Sequence, residues 1–283
     1  MWENGVLMNI ALVAIISAGV IGVVLGVVIG IVAKVFAVEI DERIEGVGER
    51  LPGANCGGCG FAGCADFAKG VVAGDAAPGQ CPVCSPEDIA NISEYLGIAA
   101  EEKEKRVALV RCSGDVKNTV RSLYNGVRDC RSAVLVAGGA KGCDYGCLGF
   151  GSCADACPFG AIEIRDGLAI VHPDLCVGCE NCLAACPKDL IIMVPAAVDV
   201  HVYCNSPEKG AAKRQVCKTA CIACRKCVKA SGEEDHMLVD GFLVKTNYEN
   251  PPPPDLVEAS ACPTSALRLG SKHAAGAYEG VSK

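Results

Sequence analysis

The sequence of 283 residues predicts an α+β fold, in which a single N-terminal transmembrane helix precedes small domains organised by cysteines. Three observations lead to this prediction: a long apolar segment near the N-terminus, 21 cysteines that occur mostly in tight runs, and an internal repeat within the cysteine-rich part. The length allows two or three small domains. Because only 5% of the residues are aromatic, we expect bound metal to supply part of the folding energy.

The N-terminal segment from Val6 to Val38 is almost wholly apolar. It is long enough to cross the hydrocarbon core of a bilayer, which requires about 20 helical residues. No basic residue precedes it, whereas a signal peptide has a basic n-region; we therefore predict an uncleaved anchor over residues 1–38, in contact with lipid through residues 6–38. Basic residues follow at Lys34, Arg43 and Arg50. By the positive-inside rule, this predicts a single-pass protein of the cell (inner) membrane with its C-terminal domains on the cytoplasmic side.

The first group of cysteines follows closely after the anchor and forms a self-contained set of four. Its spacing is Cys56-x2-Cys59-x4-Cys64-x16-Cys81, within a glycine-rich stretch. Glycines allow the backbone to wrap closely around a metal cluster and to direct N–H groups at its sulfurs. We therefore predict a small helical domain with one 4Fe–4S cluster over residues 39–84. Ser85-Pro86 favours a helix start with proline in the first turn, which predicts a helical linker over residues 85–106.

Two denser runs determine the function predicted for the chain. They are Cys143-x3-Cys147-x5-Cys153-x3-Cys157-Pro158 and Cys176-x2-Cys179-x2-Cys182-x3-Cys186-Pro187. Thiolates three residues apart on a curved loop can ligate three corners of one 4Fe–4S cube, while the fourth ligand comes from a distant Cys-Pro. The pattern indicates electron transfer by a two-cluster ferredoxin-like domain, which we place at residues 107–200.

The cysteine-rich part repeats itself at an offset of 74 residues, which relates Cys143, Cys147 and Cys153 to Cys217, Cys221 and Cys227. Cys112 and Cys204 are also similar, because each follows a valine-rich strand. The second copy, over residues 201–270, lacks the counterparts of Cys157 and of the triplet Cys176, Cys179 and Cys182. In two-cluster ferredoxins the fourth cysteine of each run ligates the other cluster. Under this crossed scheme the four losses remove one whole cluster, so we predict a degenerate ferredoxin-like repeat with one cluster.

These arguments predict four 4Fe–4S clusters, within a range of three to five. The predicted ligand sets are Cys56, Cys59, Cys64 and Cys81; Cys143, Cys147, Cys153 and Cys186; Cys157, Cys176, Cys179 and Cys182; and Cys221, Cys224, Cys227 and Cys262. The second set is unusual, because Phe150 occupies the position at which a plain ferredoxin has its middle cysteine, and Cys143 is the nearest replacement. Cys217 is an alternative ligand for the last set.

Five cysteines remain outside these sets: Cys84, Cys112, Cys130, Cys204 and Cys217. A buried free cysteine behaves as a small hydrophobic residue, which is one interpretation of these five. Cys112, Cys130 and Cys204 could instead join a further site, although no spacing demands one. The remaining tail, residues 271–283, has little to bury and is predicted to be disordered.

Other classes of protein fit the sequence less well. A secreted disulfide scaffold usually has an even number of cysteines in a short chain, whereas the count here is odd. Closed zinc sites need sets of four cysteines or histidines, and the four histidines are scattered. The net charge of −7 argues against a nucleic-acid partner, which would require a basic face. No motif for acyl or phosphoryl transfer is present, so we assign no catalytic residue and predict an electron carrier without a substrate-converting site of its own.

The order of these features resembles one protein family over nearly the whole chain. The anchor is followed by LPGANCGGCGFAGC from Leu51, then by GCDYGCLGFGSCADACPFGAI from Gly142, and then by the second ferredoxin run. This order resembles the B subunit of the Rnf electron-transport complex. The resemblance implies an iron–sulfur electron-relay subunit of a membrane-bound, ion-translocating (Na+ or H+) ferredoxin:NAD+ oxidoreductase. Its expected partners are soluble ferredoxin and the other membrane and peripheral subunits of the complex.

The resemblance also implies positions for the family's clusters. Its four-cysteine module falls on Cys56, Cys59, Cys64 and Cys81, and its ferredoxin-like clusters fall on Cys143, Cys147, Cys153, Cys157, Cys176, Cys179, Cys182 and Cys186. A second hypothesis is a membrane-tethered polyferredoxin that serves a hydrogenase or a corrinoid enzyme, because the CGGCG motif also resembles the cluster domain of corrinoid iron–sulfur proteins. A third hypothesis is a metal-organised scaffold without a redox function.

Overall fold

The structure, a computed structural model, describes residues 2–35, 41–99, 104–136, 138–232 and 235–275. The chain divides into two compact units, Met1–Glu45 and Gly46–Lys283.

Helix α1 dominates the first unit, spans Trp2–Val35 and consists almost entirely of apolar residues. Within the described residues it alone is long and apolar enough to cross a membrane, over Ile15–Lys34. Every side chain in that stretch is exposed, whereas a core helix of a soluble protein would bury its apolar side chains. The apolar N-terminal helix agrees with the predicted anchor, of which residues 36–38 lie outside the described part of the chain.

A small helical domain opens the second unit. It contains α2 (Glu42–Arg50), α3 (Cys64–Ala73), a short 3-10 turn (Pro78–Gln80) and α4 (Pro86–Leu96). Val47, Phe67 and Ile92 contribute one fully buried side chain from each α-helix. Leu51, Ala68, Val71 and Ile89 are also buried. This core is still small, which fits a domain that depends on bound metal for part of its stability.

Helix α4 begins where the sequence predicts a helix start. Ser85 and Asp88 form a capping box, in which each side chain accepts a hydrogen bond from the backbone N–H of the other residue. Ile89 and Ile92 of this helix are buried, and the Arg50 guanidinium lies 4.2 Å from the centre of the Tyr95 ring. The segment predicted as a linker therefore begins with a helix that completes the core of the first domain.

The first repeat, residues 106–195, is built on two antiparallel strand pairs. Strand β1 (Arg106–Val110) pairs with β4 (Ile191–Pro195), and β2 (Ile162–Arg165) pairs with β3 (Leu168–Val171). Its helices are α5 (Cys130–Leu135), α6 (Ser152–Asp155) and α7 (Asn181–Ala185). Asp166-Gly167 connects β2 and β3 with φ angles of 48° and 69°, because a two-residue hairpin of type I′ requires positive φ at both positions.

The second repeat, residues 200–269, has the same order of strands and helices. Strand β5 (Val200–Val202) pairs with β8 (Leu267–Leu269), and β6 (Met237–Asp240) pairs with β7 (Leu243–Thr246). Its helices are α8 (Gly210–Val216), α9 (Lys226–Ala230) and α10 (Leu256–Ala259). All four strands contribute to a hydrophobic core of its own. The cysteine repeat is therefore a repeat of a whole folded unit.

Apolar packing and hydrogen bonds replace the missing cysteine triplet in the second repeat. Leu256, at the start of α10, is buried in the hydrophobic core. The His236 imidazole Nδ1 lies 3.0 Å from the carbonyl oxygen of Asn250. Ser231, the counterpart of Cys157, donates its hydroxyl to the carbonyl of Val228 at 2.9 Å. The second copy thus keeps its fold without the thiols of the lost cluster.

The C-terminal segment differs from the prediction. Residues 271–283 are predicted to be disordered, but α11 spans Gly270–Ala275. His273 in this helix is 4% exposed, and its ring centre lies 4.0 Å from that of Tyr203. The structure differs from the prediction over residues 271–275, because this short helix is held by the ring contact of His273, by hydrogen bonds from Ser271 to Asp199 and by one from Arg165 to the carbonyl of Ala274. Residues 276–283 lie outside the described part of the chain.

Candidate iron–sulfur sites

None of the 21 cysteines forms a disulfide in the structure. Twenty of them fall into five groups of four, and four of these groups each line a cavity. We define site 1 as Cys56, Cys59, Cys64 and Cys81; site 2 as Cys130, Cys147, Cys153 and Cys186; site 3 as Cys157, Cys176, Cys179 and Cys182; site 4 as Cys221, Cys224, Cys227 and Cys262; and the inter-repeat group as Cys112, Cys143, Cys204 and Cys217. Cys84 alone remains outside, hydrogen-bonded to Cys81.

Site 1 is formed by the glycine-rich loop, the start of α3 and the turn before α4. Asn55 Oδ1 accepts the backbone N–H of Cys64 at 2.8 Å, and Gln80 Nε2 donates to the carbonyl of Cys59 at 2.8 Å. Gly57 has a φ of 72°, which residues with a side chain rarely adopt. The loop can therefore turn tightly around the cavity, and the structure brings together the four cysteines that the spacing predicts.

Site 2 contains Cys130 rather than the predicted Cys143. Cys130 begins α5, and its N–H donates to the Ser152 hydroxyl at 3.0 Å. Ser152 in turn donates to Asp129 Oδ1 at 2.9 Å. Because Ser152 begins α6, which carries Cys153, this network holds Cys130 beside Cys153. The structure differs from the predicted set here, since Cys143 lines a different cavity.

Phe150 explains why site 2 takes a ligand from outside its run. Its ring packs in a small core with Cys130 and Leu148, and its centre lies 5.1 Å from that of Tyr124. The counterpart of Phe150 in the second repeat is Cys224, so the sequence does signal that one thiol must be supplied from elsewhere. It does not signal which one, because the path of the long segment before Cys143 depends on tertiary contacts.

Site 3 draws on three different segments of the first repeat. The neighbours of Cys182 are Cys176, Cys179 and Cys157, as the crossed scheme predicts. Strand β1 lies against the site, because the N–H of Ala108 donates to Cys176 Sγ at 3.4 Å. The N–H of Ala161 donates to Cys157 Sγ, also at 3.4 Å. Hydrogen bonds of this kind stabilise thiolate ligands of iron–sulfur clusters.

Sites 1 and 3 are in direct contact. A side-chain Cβ on Gly58 would lie 2.9 Å from Cys179 Cα and 2.9 Å from Pro82 Cγ. The Asn181 side-chain amide donates to the carbonyl of Cys56 at 3.2 Å. The loop of site 1 therefore rests on the loop of site 3, with no side chain between them at Gly58.

Site 4 lies at the surface of the second repeat. Cys224 is exposed, whereas the other 20 cysteines are buried or half-buried. Ala223 and Arg225 on either side of it have positive φ angles of 52° and 58°, which turn the loop around the cavity. The four cysteines lining the cavity are those predicted for the degenerate repeat. Cys217, the predicted alternative ligand, lines the inter-repeat cavity instead.

The inter-repeat cavity is lined by two cysteines from each repeat. Cys112 and Cys143 come from the first repeat, and Cys204 and Cys217 come from the second. Two lysines, Lys141 and Lys213, line the same cavity and are 6% and 1% exposed. The sequence places Cys143 in another set, offers Cys217 as an alternative ligand for the last set, and assigns no ligand set to Cys112 or Cys204.

Burial raises the pKa of many of these thiols and is the largest cause in each case. The pKa is raised to about 12 for Cys143, Cys153 and Cys182, and to about 11 for Cys147, Cys204 and Cys227. A thiol with so high a pKa is protonated at neutral pH in the absence of metal. Binding of iron must therefore release protons as the thiolates form.

The thiol arrangement differs from that of a closed zinc site. Across the described residues, no three Cys, His, Asp or Glu side chains converge as ligands of one metal ion, whereas zinc holds its sulfurs at about 2.3 Å. The thiols instead surround cavities. This arrangement fits a cubane, which is ligated at four separate iron corners.

Two family models match the chain. One, described as a putative Fe-S cluster, matches residues 51–83, and the other, described as a 4Fe-4S dicluster domain, matches residues 141–190. The first covers site 1, and the second covers the two cysteine runs of the first repeat. Together with the apolar helix α1, these matches define the chain as an iron–sulfur electron-transfer protein with a helix of membrane-spanning length.

Similar proteins define the family more closely. The B subunit of the Na(+)-translocating ferredoxin:NAD(+) oxidoreductase complex of Acetobacterium woodii is 44% identical over 76% of this chain, which spans 65% of that protein. The B subunit of an ion-translocating oxidoreductase complex of Methanosarcina acetivorans is 41% identical over 70% of this chain and 75% of its own length. The B subunit of the proton-translocating ferredoxin:NAD(+) oxidoreductase complex of Clostridium ljungdahlii is 36% identical over 76% of both chains. The chain belongs to this family, the B subunits of the Rnf complexes.

Proposed function

We propose that the chain is the electron-relay subunit of a membrane-bound, ion-translocating ferredoxin:NAD+ oxidoreductase complex. The names of its relatives support ferredoxin and NAD+ as the redox partners of the complex and either Na+ or H+ as the coupling ion. When bound, a 4Fe–4S cluster supplies reversible one-electron transfer. In this proposal the chain carries electrons, and the reaction of the nicotinamide takes place on another subunit.

The observation that carries the proposal is the direct contact between neighbouring sets of ligands. Gly58 of the site 1 loop touches Cys179 of site 3, and Asn181 in α7 bonds to the carbonyl of Cys56. A scaffold without a redox function would not need two metal groups in van der Waals contact through their ligand loops. An electron relay does, because electron transfer requires short gaps between successive carriers.

Sites 2 and 3 are joined in the same way. Helices α6 and α7 pack against each other, and Cys182 is among the neighbours that raise the pKa of Cys153. Cys186 directly follows α7, which carries Cys182, yet it lines the cavity of site 2. This placement supports the crossed ligand scheme, in which each run of cysteines contributes to both sites.

We propose that soluble ferredoxin docks over site 4. Cys224 is exposed, and the exposed side chains of Arg225 and Lys226 flank it. Lys218 and Lys229 on neighbouring turns are also exposed. A partner that carries oxidised 4Fe–4S clusters has a charge of about −2 on each of them. A basic rim around an accessible site therefore favours its approach.

We also propose a single-pass membrane topology with the second unit on the cytoplasmic side. Helix α1 is long and apolar enough to span a bilayer, and the basic residues Lys34, Arg43 and Arg50 follow its apolar stretch. Site 1 follows α2 after only a few residues, so it is the site most closely tethered to the membrane along the chain. The other subunits of the complex are its proposed partners there.

Reduction of the full-length chain by ferredoxin tests this function. The chain is reconstituted anaerobically in detergent and mixed with reduced ferredoxin. We expect the visible absorbance of oxidised clusters to bleach and EPR signals of reduced 4Fe–4S clusters to develop, while ferredoxin becomes oxidised. A chain that binds iron but shows no reducible 4Fe–4S signal would contradict the proposal and favour a structural role for the metal.

A further inference from the structure

We propose that the inter-repeat group, Cys112, Cys143, Cys204 and Cys217, ligates a further 4Fe–4S cluster that connects site 4 with site 2. This inference goes beyond the four sites of the proposed function. The two matched family models cover residues 51–83 and 141–190, so three of these four cysteines lie outside them. The cysteine spacing does not assign them as a set either.

The first argument is the symmetry of the group. Cys112 and Cys204 each stand two residues beyond the end of an equivalent strand, β1 and β5. Cys143 and Cys217 are related by the repeat offset of 74 residues. Each repeat thus contributes the same pair of thiols, and the set of four is complete only where the two repeats meet. Incidental burial of free cysteines would not place equivalent residues of both copies around one cavity.

The second argument is a repeated pattern of hydrogen bonds to sulfur. The N–H of Gly114 donates to Cys112 Sγ at 3.4 Å. Each of the other three thiols likewise accepts the N–H of the residue two positions later, and these donors are Tyr145, Ser206 and Thr219. A neutral thiol needs no such donor, whereas a thiolate is stabilised by it. Each of the four sulfurs therefore has a backbone donor that would stabilise the thiolate once metal is bound.

The third argument is charge. The Lys141 ammonium donates to the carbonyl of Gly114 at 2.6 Å, and the Lys213 ammonium donates to the carbonyls of Ser206 and Phe242 at 2.8 and 2.6 Å. The ion pairs seen among the described residues include neither lysine. Buried charge without a counter-charge is strongly unfavourable. A cluster with four thiolates has a charge of about −2, which the two ammonium groups would offset together with Arg111, a third cationic residue that lines the cavity.

The backbone beside the cavity also leaves space for a bound group between the thiols. A Cβ on Gly114 would lie 2.8 Å from Thr119 Cγ2, 3.4 Å from Cys217 Sγ and 3.7 Å from Cys112 Sγ. Any side chain at position 114 would therefore enter the space between the thiols. Glycine at the rim keeps this space open for a ligand.

The position of the group gives it a role. The N–H of Cys147, a member of site 2, donates to Cys112 Sγ at 3.4 Å. The N–H of Cys221, a member of site 4 and the counterpart of Cys147, donates to Cys204. One backbone N–H thus separates this group from the neighbouring ligand set on each side. Without metal here, site 4 would have no carrier between it and site 2.

The iron content of the full-length chain tests the inference. The chain is reconstituted anaerobically until iron and acid-labile sulfide stay constant, and both are measured per chain. Five clusters require about 20 iron atoms. We expect Cys204→Ala to lower this to about 16, while the matched variant Cys84→Ala keeps about 20. Wild-type protein with about 16 iron atoms and no change in Cys204→Ala would overturn the inference, as would one zinc ion in this site. Reduction of the other four clusters by ferredoxin would still leave the proposed function intact.

A second variant covers the case in which Cys204→Ala fails to fold. Lys213→Met removes one buried positive charge without touching a ligand, so iron should remain at about 20. In an EPR-monitored redox titration we expect one cluster to become harder to reduce, because reduction adds negative charge beside the lost ammonium. Lys209→Met, at an exposed lysine that caps the N-terminus of the same helix, should change no potential. A titration curve for Lys213→Met identical to wild type would overturn the placement of a cluster beside this lysine.

Discussion

At the residue scale, Cys130 is positioned by polar contacts rather than by its place in a cysteine run. Asp129 caps α5 by accepting the N–H of Ser132 at 2.8 Å, and it also accepts the hydroxyl of Ser152. These hydrogen bonds lower the pKa of Asp129 to about 2, so the cap is ionised at neutral pH. Because Ser152 also accepts the N–H of Cys130, the same network fixes the helix and the thiol.

Replacement of this thiol should remove one cluster. We expect Cys130→Ala to lower the iron content of the reconstituted full-length chain by about four atoms, because site 2 loses a ligand that Phe150 cannot supply. Cys84→Ala provides a matched control and should retain all iron. Cys130→Ala with the iron and sulfide content of wild type would exclude Cys130 as a ligand and return Cys143 to consideration.

The crossed scheme is tested by combining substitutions. We expect Cys186→Ala to lose about four iron atoms, and Cys153→Ala in the same chain to cause no further loss, because both belong to site 2. Adding Cys182→Ala instead should remove about four more, because Cys182 belongs to site 3. The reverse result, in which only Cys153→Ala adds to the loss, would show that Cys186 serves the triplet on its own run.

Which ligands the sequence predicts depends on how many segments deliver them. For cysteines that share one loop, such as Cys56, Cys59 and Cys64, the spacing predicts that they belong to one ligand set. The structure places them around one cavity. Cys130 reaches site 2 on a separate helix, and Cys112 follows a strand end, so their neighbours depend on tertiary packing. Spacing contains no information about such contacts. The repeat offset related Cys143 to Cys217, but only the structure shows that the two thiols line one cavity.

At the scale of elements, the loop of site 1 and the loop of site 3 approach so closely that glycine is required at position 58. The calculated 2.9 Å contact of a Cβ with Cys179 Cα is shorter than atoms in proteins tolerate. Backbone atoms cannot move aside as a flexible side chain would. Any larger residue must therefore separate the first domain from the first repeat.

Gly58→Ala should weaken the coupling between sites 1 and 3. Relief of the clash moves the two loops apart, and overpacking of this kind typically costs about 1–3 kcal/mol of stability. We expect a smaller spin–spin interaction in the EPR spectrum of the fully reduced protein and a lower thermal midpoint. Gly48→Ala, with no atom within 4 Å of the added Cβ, should leave the spin–spin interaction unchanged and should not lower the thermal midpoint, because alanine favours the helix more than glycine does. An unaltered spin–spin interaction in Gly58→Ala would show that these loops do not set the distance between the clusters.

At the scale of the whole molecule, the sequence predicts the order of parts better than their boundaries. The apolar N-terminal helix and the repeated unit follow from patterns that local chemistry enforces: continuous apolar residues in the first case and cysteine spacing in the second. Helix α4 belongs to the first domain because its Ile92 side chain is buried in the core of that domain. Helix α11 is ordered in part because the His273 ring packs against the Tyr203 ring. Both outcomes depend on partners distant in the chain, which a reading of local composition cannot supply.

The basic rim of site 4 should control the rate at which ferredoxin binds. We expect Lys226→Glu to slow reduction of the chain by reduced ferredoxin several-fold at low ionic strength, with the difference shrinking as salt screens the charges. Lys69→Glu makes the same charge change at an exposed position on α3 and should have little effect. Stopped-flow reduction at several salt concentrations measures both. Equal slowing by the two variants would point to net charge rather than to docking over site 4.

Because the second repeat lacks the cysteine triplet, site 4 has a neighbouring thiol group on one side only. In the first repeat, site 2 has a neighbouring thiol group on either side. In the second repeat, the buried Leu256 and the hydrogen bond between His236 and Asn250 replace the missing cysteines and supply no thiol. An electron that enters at the exposed Cys224 therefore has one exit. In the proposed relay, the loss of one ligand set from the second copy leaves an unbranched series of carriers, one end of which is at the solvent-exposed Cys224.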